Sequence, residues 1–287
     1  MFTVAKRALP TVDAFTLGTV RYLIGVALFA LLLAYFEGRE GFRYGRRFWP
    51  AVAFGVIGIT GFNTLVWYGL NFTRPEHAAI LMALQTPMTA LAIWLTRGTR
   101  PHAFTLACVA AAITGVLLVV TKGHPVQAWG EARSGGALFG DFLIFLGALA
   151  WVIYSMAGSR FLGWSSLKMT TLTCLPGGLG LMVAHAFAVG SGFAPAPSTE
   201  AVLSLWWQLL YFSVGSVVVG VLGFNAGVKH LGALNAMLML NLIPVSVFCI
   251  EAALGRSFEA IELAGAAVVI GALAANNLYL RRAAPPA

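Results

Sequence analysis

A polytopic, all-α membrane bundle of two inverted five-helix repeats is the fold this sequence predicts, and three observations predict it. First, 59% of the 287 residues are hydrophobic and only 10% are charged, with a mean hydropathy of +0.85. A soluble domain carries about 25% charged residues. Second, the apolar residues gather into runs of about 20, the length that crosses a bilayer as a helix. Third, the chain repeats itself. The segment ILMALQTP ending at Pro87 aligns with MLMLNLIP ending at Pro244. At the same offset Ala103, Leu106, Ala107, Ala110 and Ile113 fall on Ala260, Leu263, Ala264, Ala267 and Ile270.

Taken in order, spans are expected near 13–36, 48–71, 77–97, 102–121, 136–159, 167–190, 204–228, 233–254 and 259–280. The longest polar stretches are 122–135 and 191–200, too short for a soluble domain. A second alignment sets Arg7, Leu9 and Asp13 against Arg160, Leu162 and Ser166, which leaves 136–153 without a counterpart. Residues 1–8 are therefore expected to be the tail of a tenth, mostly missing first helix, the alternative being a short anchor before nine spans. The repeats are expected over 1–121, N-terminally incomplete, and 136–282. Five spans per repeat force the second copy to enter the membrane upside down relative to the first.

Charge orients the bundle. Of the 18 Lys and Arg, eleven fall on the side that holds the 39–47 loop and Arg281. Six fall on the other side, with Lys6, Arg74 and Arg256, and Arg21 lies within a span. Cytoplasmic loops carry the excess of basic residues, so the C-terminus is expected in the cytoplasm. The net charge of +8 is thus a matter of topology, and no nucleic-acid partner is implied. Cys108, Cys174 and Cys249 sit far apart within apolar runs and read as small buried hydrophobes, without metal-ligand spacing. No cofactor or metal is implied, and no nucleotide loop or catalytic motif argues for an enzyme.

The DAFTLGTVR stretch leading into the 13–36 span, the mid-span Pro87 and Pro244, and the Gly-rich last span after Gly265 together resemble the drug/metabolite transporter superfamily, in its EamA-type ten-helix branch. The segments NAGVKHLG at 225–232 and AWVIY at 150–154 look closest to the YddG-like aromatic amino-acid exporters. The resemblance implies an inner-membrane carrier with a small-molecule substrate, aromatic or other large neutral amino acids first, and export as its direction. The acidic residue that often closes the helix after each proline in this family is replaced by Arg100 and Ser257, so no coupling acid is carried over from that motif.

The residues themselves suggest where a cargo would sit. A proline within a membrane helix removes one hydrogen bond and kinks the helix. Pro87 and Pro244, at equivalent positions, are expected either to line a cavity and let each half rock or to be packing kinks. Gln85 and Asn241 precede them. An amide in hydrocarbon costs about 2–7 kcal/mol without a partner, so both are expected to face inward, toward a substrate or as glue between helices. His77 and Leu81 share a face with Gln85 at intervals of four, as Met237 does with Asn241. Asn63, Tyr68 and Asn225 on the preceding spans, and Trp151 and Tyr154 three residues apart, complete the candidate substrate site. Their rings are suited to stacking on an aromatic cargo, or else they are structural. Trp206, Trp207 and Tyr211 read as an interfacial belt. Arg21 either snorkels, pairs with a carbonyl or meets a substrate carboxylate. Glu251, read as the single acid within a span, is the candidate for proton coupling, unless it lies near water at the outer end. The rival readings are a same-fold carrier for nucleosides, drugs or other metabolites, and a non-transporting scaffold; a monomer in the lipid bilayer is favoured.

Overall fold

The structure is a computed structural model that describes residues 2–98, 102–121, 124, 136–240 and 242–283. Arg100, Asn241 and most of the 122–135 stretch lie outside the described residues. Among the described residues the elements are helical, and every span expected from hydropathy is occupied by helix.

The chain opens with α1 (Phe2–Ala8). Then Asp13 caps α2 (Ala14–Gly41), accepting from the amides of Phe15 and Thr16 at 2.9 and 3.1 Å. Such a side-chain acceptor satisfies amides that the first helical turn leaves orphaned. The next span starts as α3 (Phe48–Gly55), passes through a π-helical segment at Val56–Gly61 and continues as α4 (Phe62–Phe72). The third is α5 (Pro75–Ala83) followed by α6 (Gln85–Arg97), and the fourth is α7 (Ala103–Thr121).

The second half mirrors this order. It runs through α8 (Ala137–Met156) and α9 (Ser166–Gly190), the latter capped by Ser165, which accepts from Lys168 N at 2.9 Å. After the short α10 (Thr199–Ser204) come α11 (Trp206–Leu210), a π-helical segment at Tyr211–Val221, and α12 (Leu222–Leu231). It ends with α13 (Ala233–Met239), α14 (Leu242–Ala253) and α15 (Ala260–Ala283). Both π-segments occur in the same span of each half. In both halves the proline stands third in a new helix, α6 or α14, following a turn residue, Leu84 or Leu240. The first helical turn is where a missing N–H is tolerated. The spans are therefore interrupted before Pro87 and Pro244 and not merely bent at them.

Equivalent spans of the two halves pack on one another: α2 on α9, the two interrupted spans through α5 on α14 and α6 on α13, and α7 on α15. Glycine makes the closest of these crossings possible. A Cβ at Gly115 would lie 2.7 Å from the carbonyl oxygen of Gly265, and one at Gly265 the same distance from the oxygen of Gly115. Gly69 of α4 and Gly140 of α8 meet in the same way. Small residues allow such backbone approach in lipid, where no hydrophobic force drives helices together. Leu31, Tyr35, Phe36, Leu95, Val183 and Phe187 point outward and are exposed, as lipid-facing side chains must be. Cys108 and Cys174 are buried, but Cys249 is exposed on α14, contrary to the sequence expectation, because its face of that helix is not covered.

Candidate functional site

Between the halves lies a cavity of about 510 Å³, walled by α2, α4, α5, α6, α8, the second π-segment, α12 and α14. Its size falls in the range of small-molecule sites, about 300–1,000 Å³. Most of its lining is apolar and aromatic: Phe62, Met82, Trp151, Tyr211, Phe224, Ile243 and Ile250. The polar side chains that reach it are Arg21, Tyr22, Gln85, Ser216 and Ser246.

Arg21 is 2% exposed and is held from behind. Its Nη2 donates to Asn63 Oδ1, and Asn63 Nδ2 donates to the Ile59 carbonyl at 2.6 Å. The guanidinium lies 4.3 Å from the centre of the Trp67 ring and 5.0 Å from that of Tyr22. Aromatic faces attract such a cation, the more so where it is desolvated. Gln85 is also 2% exposed, and its Nε2 donates to Met82 Sδ at 3.3 Å. Trp151 stacks obliquely on Phe62, Tyr154 and Phe224, with centroids 5.0, 5.2 and 5.3 Å away.

A second cavity, about 280 Å³, opens where α8 ends, lined by Ile93, Ser155, Met156, Phe161, Trp164, Asn225 and Lys229 among others. A buried septum divides the two. Trp151 and Phe224 face the larger cavity, while their near neighbours Ser155 and Asn225 face the smaller. Within the septum Asn225 Nδ2 donates to Tyr154 Oη and to Thr170 Oγ1, both at 2.8 Å, and Tyr154 Oη meets Thr173 Oγ1 at 3.1 Å. If the caps Asp13 and Ser165 are taken as equivalent, Arg21 falls opposite Thr173. One half thus puts a cation where the other has a hydroxyl.

The structure gathers the sequence candidates unevenly. Gln85 and Trp151 line the large cavity. Asn63 stands behind it, holding Arg21. Tyr154 and Asn225 form the septum. Leu81, Met237 and Pro87 are buried outside the lining, with the Met237 carbonyl accepting from Thr86 Oγ1 at 3.2 Å. Tyr68 packs beyond the wall against Phe15, Phe72 and Phe193. His77 lies away from the cavity, against Asp141. Asn241 is outside the described residues, and of Pro244 only the helical backbone is described. Glu251 sits half-buried in the last turns of α14.

Glu251 is not the single acid within a span. Asp141 lies in the second turn of α8 and is 3% exposed. It falls inside the expected 136–159 span, where the sequence alone shows it; only its partner, on another helix, is not legible there. Arg21, for which a substrate carboxylate is one of three expected partners, stands in the wall, and Tyr211, expected in an interfacial belt, also lines the cavity. Among the described residues no three His, Cys, Asp or Glu side chains cluster to hold a metal ion.

Spans with an interior cavity between two similar halves define a multi-pass membrane protein of the carrier type. The chain belongs to the EamA-like transporter family, whose pattern matches residues 1–121 and 138–278. It is a membrane transporter. It is 30% identical over 286 residues to the uncharacterized transporter YrdR of Bacillus subtilis (strain 168), covering 98% of this chain and 88% of that one. It is 29% identical over 260 residues to the uncharacterized transporter YyaM of the same organism, covering 90% and 83%. An uncharacterized transporter of Archaeoglobus fulgidus is 29% identical over 224 residues, covering 76% and 73%. A crystal structure of another protein superposes with a TM-score of 0.69 at 21% identity, over 99% of this chain and 93% of its own, a likeness of fold.

Proposed function

We propose that this transporter moves aromatic or other large neutral amino acids across a bacterial inner membrane, outward, by alternating access through the cavity between its halves. The observation that carries the reading is the placement of Arg21, a buried cation set by Asn63 into a mostly apolar and aromatic wall. A guanidinium offers paired donors matched to a carboxylate. Gln85 supplies an amide oxygen for an ammonium. Phe62, Trp151 and Phe224 supply faces on which an aromatic side chain stacks. In this reading Tyr154 and Asn225 close the path toward the smaller cavity, and the breaks before Pro87 and Pro244 are where the walls pivot. The excess of basic residues on the side of the 39–47 loop and the C-terminus supports a cytoplasmic side for both, and the Bacillus relatives support a bacterial plasma membrane.

The test is counterflow of labelled phenylalanine in proteoliposomes. Uptake competed by unlabelled tryptophan and tyrosine but not by lysine is expected, together with its loss in Arg21→Met. Absence of flux from folded protein, or an Arg21→Met variant as active as the parent, refutes this cargo and site.

A further inference from the structure

Away from the cavity, a cluster of ionisable side chains is buried where two spans meet. His77, in the first turn of α5, and Asp141 of α8 are each 3% exposed. His77 Nδ1 lies 3.2 Å from Asp141 Oδ2. Thr73 Oγ1 donates to Asp141 Oδ1 at 2.5 Å and stands 3.3 Å from the same ring nitrogen. The hydroxyl proton goes to the carboxylate, so the ring proton sits on Nδ1 and also points at Asp141. Among the described residues the far nitrogen, Nε2, is buried without a hydrogen-bond partner.

An ionisable group in a membrane span is expensive and by default has a functional reading. Imidazole is the side chain whose charge ordinarily changes near neutral pH. Here a carboxylate fixes the tautomer and leaves one lone pair open.

We propose that His77 and Asp141 form a proton-binding site that couples proton movement to transport. A proton from water on one side adds to the Nε2 lone pair, turning the imidazole into an imidazolium while Asp141 stays a carboxylate. The pair passes from a net charge of −1 to 0, and release to the other side reverses the step. The other charged and titratable groups on the surrounding elements are engaged elsewhere or lie apart. Lys6 Nζ of α1 donates to the carbonyls of Leu70 and Asn71 at 2.6 and 3.1 Å. Glu262 of α15 is held by Arg256 at 3.1 Å, with Arg74 at 3.8 Å. Arg7 of α1 is exposed. The remaining described groups are Tyr68 of α4, Tyr154 of α8, the thiols Cys108 of α7 and Cys249 of α14, Glu251 of α14 and Tyr279 of α15. Among the described residues none of these is bonded to the pair.

The route to the cargo is mechanical. The two helices that meet at the pair also wall the cavity, α5 through Met82 and α8 through Trp151, with Gln85 just past the break that ends α5. At about 1.5 Å of rise per residue, Gln85 lies roughly 12 Å along from His77 and Trp151 roughly 15 Å along from Asp141. A change in charge where α5 docks on α8 therefore acts on both sides of the cavity.

This inference goes beyond the cargo reading, and its test separates the two. Counterflow needs no proton gradient, whereas accumulation against a gradient does. With the full chain in proteoliposomes, His77→Gln and Asp141→Asn are expected to keep phenylalanine counterflow and to lose accumulation driven by an imposed pH difference. Accumulation retained in both variants overturns the proposal. If the parent shows no phenylalanine counterflow, the cargo reading fails and nitrogen NMR of the imidazoles decides. The His77 signal, assigned among the five histidines by its absence in His77→Gln, is expected to show Nε2 taking up a proton as the medium is acidified, and to change in Asp141→Asn. A His77 ring that takes up no second proton before the protein unfolds overturns the proposal in either case.

Discussion

Replacing Gly265 by alanine tests how the two halves are held together. The new Cβ would lie 2.7 Å from the Gly115 carbonyl oxygen, 2.7 Å from Val119 Cγ2 and 3.0 Å from Leu118 Cβ. Val119 can turn a methyl aside, but a helical carbonyl cannot rotate away. Relief requires α7 and α15 to part by about half an ångström, and a gap of 0.5–1 Å already forfeits a quarter to a half of each dispersion contact. Overpacking of this kind costs about 1–3 kcal/mol. Alanine also gains about 1 kcal/mol of helix propensity over glycine, so the proper reference is an alanine that gains propensity without the clash. Gly271, on the same helix and with nothing within 4 Å of its own Cβ position, provides it. Gly265→Ala is expected to be less stable than Gly271→Ala by about 1–3 kcal/mol. At about 2–4 °C per kcal/mol for chains of this order, the difference is readily measured. A thiol-reactive dye in detergent reads it once the exposed Cys249 is replaced by alanine, because Cys108 on α7 and Cys174 on α9 are buried until the bundle opens. Equal melting of the two variants, or a higher value for Gly265→Ala, would show that the α7–α15 crossing is not the tight glycine contact described.

Two further expectations concern the site. Gln85→Ala should weaken phenylalanine transport about tenfold or more, since a hydrogen bond to a charged group contributes about 1.5–3 kcal/mol. Folded protein in the membrane should be unchanged, and normal affinity in the variant would remove Gln85 from the site. Tyr154→Phe should lower stability by about 1–3 kcal/mol, because it deprives Asn225 and Thr173 of a buried partner. An unaltered melting temperature would mean that water already serves these groups.

The fold was legible where the signal is local. Twenty-residue apolar runs, glycines at crossings and two aligned prolines each announce themselves along the chain. Sidedness of the wall was less so. Tyr68 and Asn63 are expected in the cavity as an aromatic and an amide side chain of the preceding span, but the π-segment at Val56–Gly61 changes the phase of everything after it, and Phe62 takes the lining position instead. The Arg21–Asn63 and His77–Asp141 pairs escaped for another reason. Each joins helices far apart in sequence, and a single sequence carries no mark of which two distant polar residues will meet. Leu81 and Met237 lie outside the lining, and Met82 rather than Leu81 reaches the cavity with Gln85, since a broken span no longer presents one continuous stripe.

The two π-segments also turn the shape of the wall into a matter of counting. A π turn holds about one residue more than an α turn, and each residue of an α-helix advances the azimuth by about 100°. Rewinding Val56–Gly61 as α-helix would swing Phe62 about 100° away from Trp151, and rewinding one turn of Tyr211–Val221 would do the same to Phe224. Adding or removing a residue in either segment is thus a gear change. The helix continues unbroken, its backbone still bonded, while the aromatic teeth it presents to the interior are exchanged for the next ones along.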